Sequence, residues 1–358
     1  MKALVLAGGT GTRLRPFSYS MPKQLMPIAN RPVLEYVLAN IRALGIEEAA
    51  VVVGNRGSEI IAALGDGSRL GMRLTYICQL HPQGLAHAVR LAREYLGEDD
   101  FVMHLGDTML PQGFAEAAEE FAARRPDALV VVRKVADPRA FGVAEVTADG
   151  TVTGLVEKPE QPRSDLAMTG VYFFTPAIHQ AVERIEPSAR GELEITDAIQ
   201  WLVSRGSAVV AQEYRGYWKD TGRVEDVLDC NRELLGRLDP APQAAAGQVD
   251  EESLLIGTVL LEPGARVVRS RIQGPVVVGA GSLVQDSRVG PYTSVGRDCS
   301  LIGTHVDDSI VLDGASVSGV PRLRGSLIGR SAAVTSADRG NDHHRLVVGD
   351  HTQVEVAA

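Results

Sequence analysis

Ala3-Leu4-Val5-Leu6-Ala7-Gly8-Gly9-Thr10-Gly11-Thr12-Arg13-Leu14 carries a short apolar run directly into a glycine-rich turn. Such a run suits a strand buried in a parallel sheet. Two phosphate-binding loops can be tested against it. A dinucleotide fingerprint with glycines at 9 and 11 needs a third at 14, where Leu14 stands, and Glu35, which could have supplied the acid, falls inside a helical pattern. A Walker loop needs Lys followed by Ser or Thr behind its second glycine, and no lysine follows the turn before Lys23. Both fail. What remains is a glycine turn at the carboxyl end of a strand, where backbone N–H groups can approach a polyphosphate closely. Arg13 adds a fixed charge whose forked geometry suits phosphate oxygens. A tight turn with a surface arginine also fits these residues taken alone.

Outward from this turn, short apolar runs alternate with amphipathic segments. Ala49–Val53, Leu74–Cys78 and Phe101–Leu105 read as strands, and Pro32–Leu44 and Leu85–Leu96 as helices. Leu34, Val37, Leu38, Ile41 and Leu44 share one helical face, and Gly45 stops the helix. This alternation predicts an α/β fold with right-handed crossovers and a mixed, mainly parallel sheet covered on both faces. Residues 142–156 break the rhythm, with two strand-like runs around Asp149-Gly150, a hairpin signal. Helices from about Asp197 to Ser204, capped by Thr196, and from Arg223 to Leu235 close this half.

Residues 236–250 lack apolar periodicity and carry two prolines among small residues, the composition of a linker. Beyond them aliphatic residues recur every six positions at Val277, Leu283, Val289, Val295 and Leu301, separated by Gly, Asp and Ser. That period predicts a parallel β-helix whose coils stack on one another. The expected organisation is a first domain over 1–238, a linker over 239–250 and a β-helix over 251–358. No single coil buries its own apolar side, so the stack needs caps or a partner subunit.

The chain has 358 residues, 36 Lys and Arg against 45 Asp and Glu, and a net charge of −9. That balance repels a nucleic-acid backbone, so an anionic ligand must be held by local donors and cations. Three widely spaced cysteines, Cys78, Cys230 and Cys299, read neither as a disulfide framework nor as a zinc site. The N-terminal apolar run is too short for a signal-peptide core, and no run approaches a membrane span of roughly 20 residues. A cytoplasmic protein without a membrane or nucleic-acid partner is expected.

The glycine turn continues through Arg15-Pro16 to Met21-Pro22-Lys23-Gln24-Leu25-Met26-Pro27-Ile28. This signature resembles that of the sugar-1-phosphate nucleotidyltransferases, and its wording is most similar to that of glucose-1-phosphate thymidylyltransferases. The resemblance covers residues 1 to about 235. The tail looks like the left-handed β-helix of the longer enzymes of this group, found in antibiotic-sugar pathways. The resemblance implies transfer of a nucleotidyl group from dTTP to glucose 1-phosphate with Mg²⁺, releasing pyrophosphate. Arg13 and Lys23 are then the catalytic cations, with Lys23 on the α-phosphate. The nucleotide falls to Leu6, Gly8, Gly9, Thr10, Gly11, Thr12, Gln79, Gly84 and Asp107.

Other segments can be placed the same way. Asp107 follows a strand and would point into the ligand crevice, while Asp220 lies in Lys219-Asp220-Thr221-Gly222. Together they could hold Mg²⁺, although either alone reads as a turn or cap acid. The Gln79 amide matches the imide edge of thymine or uracil, and Gly84 would admit the base close to the backbone. Glu157 and Lys158 would bind sugar hydroxyls and the sugar phosphate by resemblance, though alone they are an ordinary exposed pair. Gly142, Thr169 and Tyr172 match sugar-binding segments. Thr108 stands where the family usually has Asn, and Phe141 where Tyr is common. Both departures bear on the choice of sugar and leave the phosphate chemistry untouched.

The nucleophile is already an anion, so no general base is needed. The protein must align two polyanions and stabilise charge on the α-phosphoryl group. Competing readings are a UTP-, ATP- or GTP-dependent relative, a bifunctional acyltransferase, for which His305 and His351 lack a catalytic context, and a non-catalytic regulatory subunit. His343-His344 reads as a solvated pair. The six-residue repeat is expected to assemble a homotrimer or homotetramer. On that view a chain ending near Leu238 keeps every catalytic group and loses assembly before chemistry.

Overall fold

The structure, a computed structural model, describes residues 1–239 and 246–336. His343, His344 and His351 lie outside them. In chain order the strands before residue 221 are β1 (Lys2–Ala7), β2 (Pro27–Ile28), β3 (Arg31–Pro32), β4 (Glu48–Val53), β5 (Arg73–Cys78), β6 (Phe101–Leu105) and β7 (Thr108–Met109). There follow β8 (Ala128–Lys134), β9 (Gly142–Val146), β10 (Val152–Glu157), β11 (Leu166–Phe174), β12 (Val209–Glu213) and β13 (Lys219–Asp220). The helices are α1 (Val33–Ala43), α2 (Gly57–Leu64), α3 (Leu85–Leu91), α4 (Arg93–Leu96), α5 (Ala115–Arg124), α6 (Ala177–Arg184), α7 (Ile195–Ser204) and α8 (Val224–Gly236). Packing divides the chain into two compact units, Met1–Thr10 with Val33–Asp220, and Gly11–Pro32 with Thr221–Ala358.

The first unit is built on a nine-stranded sheet in the order β10-β9-β11-β6-β1-β4-β5, with β8 on β11 and β12 on β8. β5, β4, β1 and β6 run parallel, so their carboxyl ends open onto one edge. β11 then turns the sheet antiparallel. Strands at the centre are buried on both faces, which explains the unbroken apolar runs of β1 and β4. Gly45, at φ 78°, ends α1 as expected, and Leu34, Val37, Leu38 and Ile41 are buried beneath it.

Two sequence expectations change here. The helix expected over 85–96 is interrupted at Ala92, which is fully buried in the main core. α7 begins at Ile195, so Thr196 sits inside it instead of capping it, and its hydroxyl serves another partner.

The second unit contains the parallel β-helix, formed by stacked parallel sheets of six, five and five strands. Arg266 pairs with Leu283 and Leu283 with Ser300. One coil therefore takes 17 residues, the separation that also links Ser270 Oγ to the Ser287 N–H at 3.0 Å. Three sides cannot each take six residues within 17, so the strict six-residue register slips once in such a coil, and twice where the coil shortens to 16 between Ser294 and Ile310. The interior column accordingly runs through Val278, Val284, Val289, Val295, Leu301 and Val306. Val289, Val295 and Leu301 are interior as expected. Leu283 is only half-buried beside the interior Val284, and Val277 is buried but outside the interior cluster. The first strand of the stack, Gln248–Val249, begins inside the expected linker.

Candidate active site

At the carboxyl edge of the parallel strands the first unit gathers the ends of β1, β4, β5 and β6. Gly8 follows β1; a Cβ there would come within 3.3 Å of Gln79 Oε1 and 3.5 Å of Gly54 N. Gly54 is equally constrained, since its Cβ would lie 2.8 Å from Gly8 O. Gly54 was not singled out from sequence, because a lone glycine after a strand gives no sign of what crosses it.

Gln79 is buried just past β5, and its N–H bonds Val53 O at 2.8 Å. Its Nε2 donates to Gly84 O at 3.3 Å and lies 3.0 Å from His87 Nδ1. A carbonyl can only accept, so this bond fixes which end of the amide is nitrogen. Burial, with Arg90 nearby, lowers the His87 pKa and favours the neutral ring that can accept from Gln79. The Oε1 acceptor is thus the end left toward the Gly8 turn. Gly84 has a different reason to be glycine than the one expected. At φ 102° its Cβ would fall 2.4 Å from Leu193 O, so packing against the residue 193 backbone demands it.

Asp107 comes directly after β6 and is 9% exposed. Gly106 N bonds Leu6 O at 2.9 Å, which ties this turn to the buried end of β1. β7 then pairs with β13, setting Asp220 opposite Thr108. Asp107 immediately precedes β7, so the strand pairing brings Asp220, 113 positions away in the chain, opposite the residue next to it. His104, three residues before Asp107 and within β6, is fully buried, and burial pushes its pKa down to about 4. It is a neutral core residue beneath the site.

A second polar cluster surrounds Glu157 at the end of β10. Thr196 Oγ1 donates to Glu157 Oε2 at 2.6 Å, Arg190 Nη1 approaches Oε1 at 3.3 Å, and Lys158 Nζ lies 3.5 Å from Oε1. Arg190 also reaches Glu194 Oε1 at 3.2 Å. Burial, then the Glu157 charge, raises the pKa of both Glu194 and Asp197. Gly142 pairs with Glu157, and a Cβ there would be 2.9 Å from Thr196 Oγ1 and 3.0 Å from Glu157 Oε2. Lys158 takes φ 42°, turning the chain out of the strand while its N–H bonds Phe141 O. Arg190, Glu194 and Thr196 were missed as site residues. A charged loop before a helix is common, and only the fold lays it beside Glu157.

Thr169 and Tyr172 are placed differently from a ligand-facing expectation. The Thr169 hydroxyl donates to Val131 O at 3.0 Å and is buried, while its carbonyl accepts from Trp218 Nε1 at 2.9 Å. Trp218 in turn packs edge-on against Phe141 at 5.0 Å. Tyr172 is buried within the core, and desolvation, then the Glu157 charge, raises its pKa above the usual phenol value.

In the second unit the signature segment forms two single-turn 3-10 helices around its cations, Thr12–Leu14 with Arg13 and Lys23–Leu25 with Lys23. Gly11, at φ 66°, would place a Cβ 3.0 Å from Lys23 Cβ, so a side chain there would displace the lysine. Leu14, Met21, Met26 and Ile28 are fully buried and anchor the segment, with Arg13 exposed and Lys23 half-exposed. Thr10 and Thr12 are exposed around the turn.

The chain is similar to known proteins over its whole length. A glucose-1-phosphate thymidylyltransferase of Streptomyces griseus is 53% identical over 358 residues, spanning 100% of both chains. One from Streptomyces antibioticus is 51% identical over 357 residues, 99% of each. A solved structure described as a glucose-1-phosphate thymidylyltransferase from Bacillus anthracis, in complex with a sucrose, superposes with a TM-score of 0.62 at 32% identity, covering 67% of this chain and 96% of its own. The family described as nucleotidyl transferase matches residues 2–237, a span that holds the glycine turn, both cations and both aspartates, and the chain belongs to that family.

Proposed function

We propose that the chain transfers a thymidylyl group from dTTP to glucose 1-phosphate, giving dTDP-glucose and pyrophosphate. The observation that carries this reading is the Gln79 amide. Its nitrogen is committed to Gly84 O and His87, which leaves an acceptor to meet the imide N3–H of thymine or uracil. Adenine has no ring N–H at that edge, its donor there being the exocyclic amino group, and the preference over guanine, which has an N1–H, rests on the naming of the full-length relatives. The thymidine form is favoured over uridine by the naming of the full-length relatives.

The donor set at Asp107 and Asp220 fits Mg²⁺. Among the described residues no group of three or more His, Cys, Asp or Glu side chains is placed to hold a metal. A pair of carboxylates supplemented by water and phosphate oxygens is the usual way Mg²⁺ is bound in phosphoryl chemistry. Bound there, Mg²⁺ would draw charge off the triphosphate. Arg13 and Lys23 neutralise charge on the α-phosphoryl group, and the glycine turn admits the triphosphate to backbone N–H groups. Glu157 orients the sugar through its hydroxyls, with Lys158 and Arg190 as the cations for its phosphate. The sugar-phosphate oxygen attacks in line, and pyrophosphate leaves.

Among the described residues no helix is long and apolar enough to cross a membrane. A cytoplasmic homo-oligomer, a trimer or tetramer assembled through the β-helix, completes the proposal. Mixing the protein with Mg²⁺, glucose 1-phosphate and each nucleoside triphosphate in turn, then measuring pyrophosphate, tests the function. Release with dTTP at least tenfold faster than with ATP or GTP is expected. Release with a purine triphosphate alone would overturn it.

A further inference from the structure

The second unit joins the signature segment to the β-helix through one buried amide. β2 and β3 form a hairpin at the end of the signature, closed by Ala29 and Asn30 at φ 48° and 63°. Two successive left-handed residues make the two-residue turn that suits a hairpin's twist, a conformation that glycine adopts freely and alanine does not. Alanine persists there only where the surroundings hold it.

The holding group is Asn231 of α8, which is fully buried. Its Oδ1 accepts from the Ala29 N–H at 2.9 Å and from Ser294 Oγ at 2.6 Å. Its Nδ2 donates to Tyr292 O at 3.0 Å. Three of the four bonds an amide can form are therefore made, linking the hairpin turn to one strand of the β-helix through α8. A second bond runs directly between them: Asn30 Nδ2 donates to Val295 O at 2.7 Å. Farther along the segment, a Cβ at Gly329 would lie 3.7 Å from the Phe17 ring. Buried networks satisfied in this way fix a single arrangement, because any alternative leaves polar atoms unpaired.

We propose that Asn231 and Asn30 are positioning residues, through which the β-helix fixes the segment that carries Arg13 and Lys23. The inference rests on the reading of those two cations as catalytic. The tail then acts in the reaction without touching substrate. Loosening the hairpin should misplace charges needed mainly in the transition state, which lowers kcat more than it raises KM.

The test uses the full-length protein with Asn30→Gly and Asn231→Ala. Asn30→Gly tolerates the left-handed turn and removes only the bond to Val295, so it guards against a misfolded Asn231→Ala. Each variant is expected to lower kcat about tenfold, with KM for both substrates within about threefold and the folded fraction at the assay temperature unchanged. Hydrogen exchange should quicken across residues 11–32 while the β-helix core keeps its protection. Unchanged kcat per folded molecule, or a loss confined to KM, overturns the proposal. If the wild type itself releases no pyrophosphate from any triphosphate, the proposed reaction fails and exchange alone decides the positioning: unaltered exchange across residues 11–32 then refutes it.

Discussion

Arg190 is the sharpest probe of the cluster around Glu157, because one guanidinium nitrogen serves two carboxylates. Nη1 lies 3.3 Å from Glu157 Oε1 and 3.2 Å from Glu194 Oε1. The side chains of Glu157 and Glu194 are 18% and 4% exposed, that of Arg190 41%. Charge-assisted bonds to such groups contribute about 1.5–3 kcal/mol each when buried, and the exposure of Arg190 reduces that, leaving about 2 kcal/mol for the pair. Replacement by methionine keeps much of the stem and removes the charge. If the whole effect falls on sugar-phosphate binding, Arg190→Met should lower kcat/KM for glucose 1-phosphate by a factor of about 30. The KM for dTTP should stay within about twofold.

The same change has a pH signature. Burial raises the Glu194 pKa first and Glu157 raises it further, while Arg190 opposes both. Without Arg190 the folded-state pKa rises again. A carboxylate whose folded pKa is raised costs stability above that pKa, and the cost is relieved as pH falls and the group protonates. The Tm deficit of Arg190→Met relative to wild type should therefore be larger at pH 8 than at pH 5. A deficit that is equal at both, together with unchanged glucose 1-phosphate kinetics, would refute the reading of this cluster.

Three other outcomes are expected. Asp107→Asn and Asp220→Asn should each reduce Mg²⁺-dependent pyrophosphate release by orders of magnitude with little change in Tm; full activity in either removes the metal assignment. His104, buried at a pKa of about 4, binds its proton less readily folded than unfolded. Its contribution is complete above about pH 6.5 and is lost as pH falls toward 4, up to about 3 kcal/mol, so His104→Leu should flatten the acid limb of the Tm profile. A chain ending at Leu238 lacks Tyr292, Ser294 and Val295, the partners of Asn231 and Asn30, and should lose more than tenfold in kcat even where it stays soluble. Light scattering beside the pyrophosphate assay separates that loss from a loss of assembly; full activity in a soluble truncated chain would contradict it.

Much of the first unit could be read from periodicity, since β1, β4 and β6 are buried apolar runs, β5 is a half-exposed edge strand and α1 shows a clean apolar face. Asp107 was also within reach, because a carboxylate just past a parallel strand points to the ligand edge. That Asp220 lies opposite its neighbour Thr108 was not derivable from spacing; it depends on β7 meeting β13. Gly84 shows a subtler limit. Sequence marked the residue correctly as special but could not show that the obstacle is the backbone at Leu193. Arg190 went unnoticed and Thr196 reads from sequence as a helix cap, because their partner, Glu157, lies 33 and 39 positions away. The β-helix was recognised by its period, whereas the 17-residue coil that shifts Val277 and Leu283 off the interior column follows only from strand pairing.

The boundary near residue 238 shows what periodicity measures. It marks where helical spacing stops and aliphatic repeats begin, a change in local structure. Packing follows different rules. Gly11–Pro32 precedes the β-helix by more than 200 positions, yet it clusters with α8 and the stack. The residues that bind them, Asn30, Asn231 and Ser294, look alone like a turn former, a polar helix residue and a repeat filler. Each becomes informative only once Asn231 is seen to be fully buried, because a buried amide must find partners. A tail read from sequence as an assembly device is thereby tied, through four hydrogen bonds, to the loop that carries the signature cations. Assembly and chemistry need not be separable functions of separate halves. The hairpin at Ala29 and Asn30 is where the structure joins them.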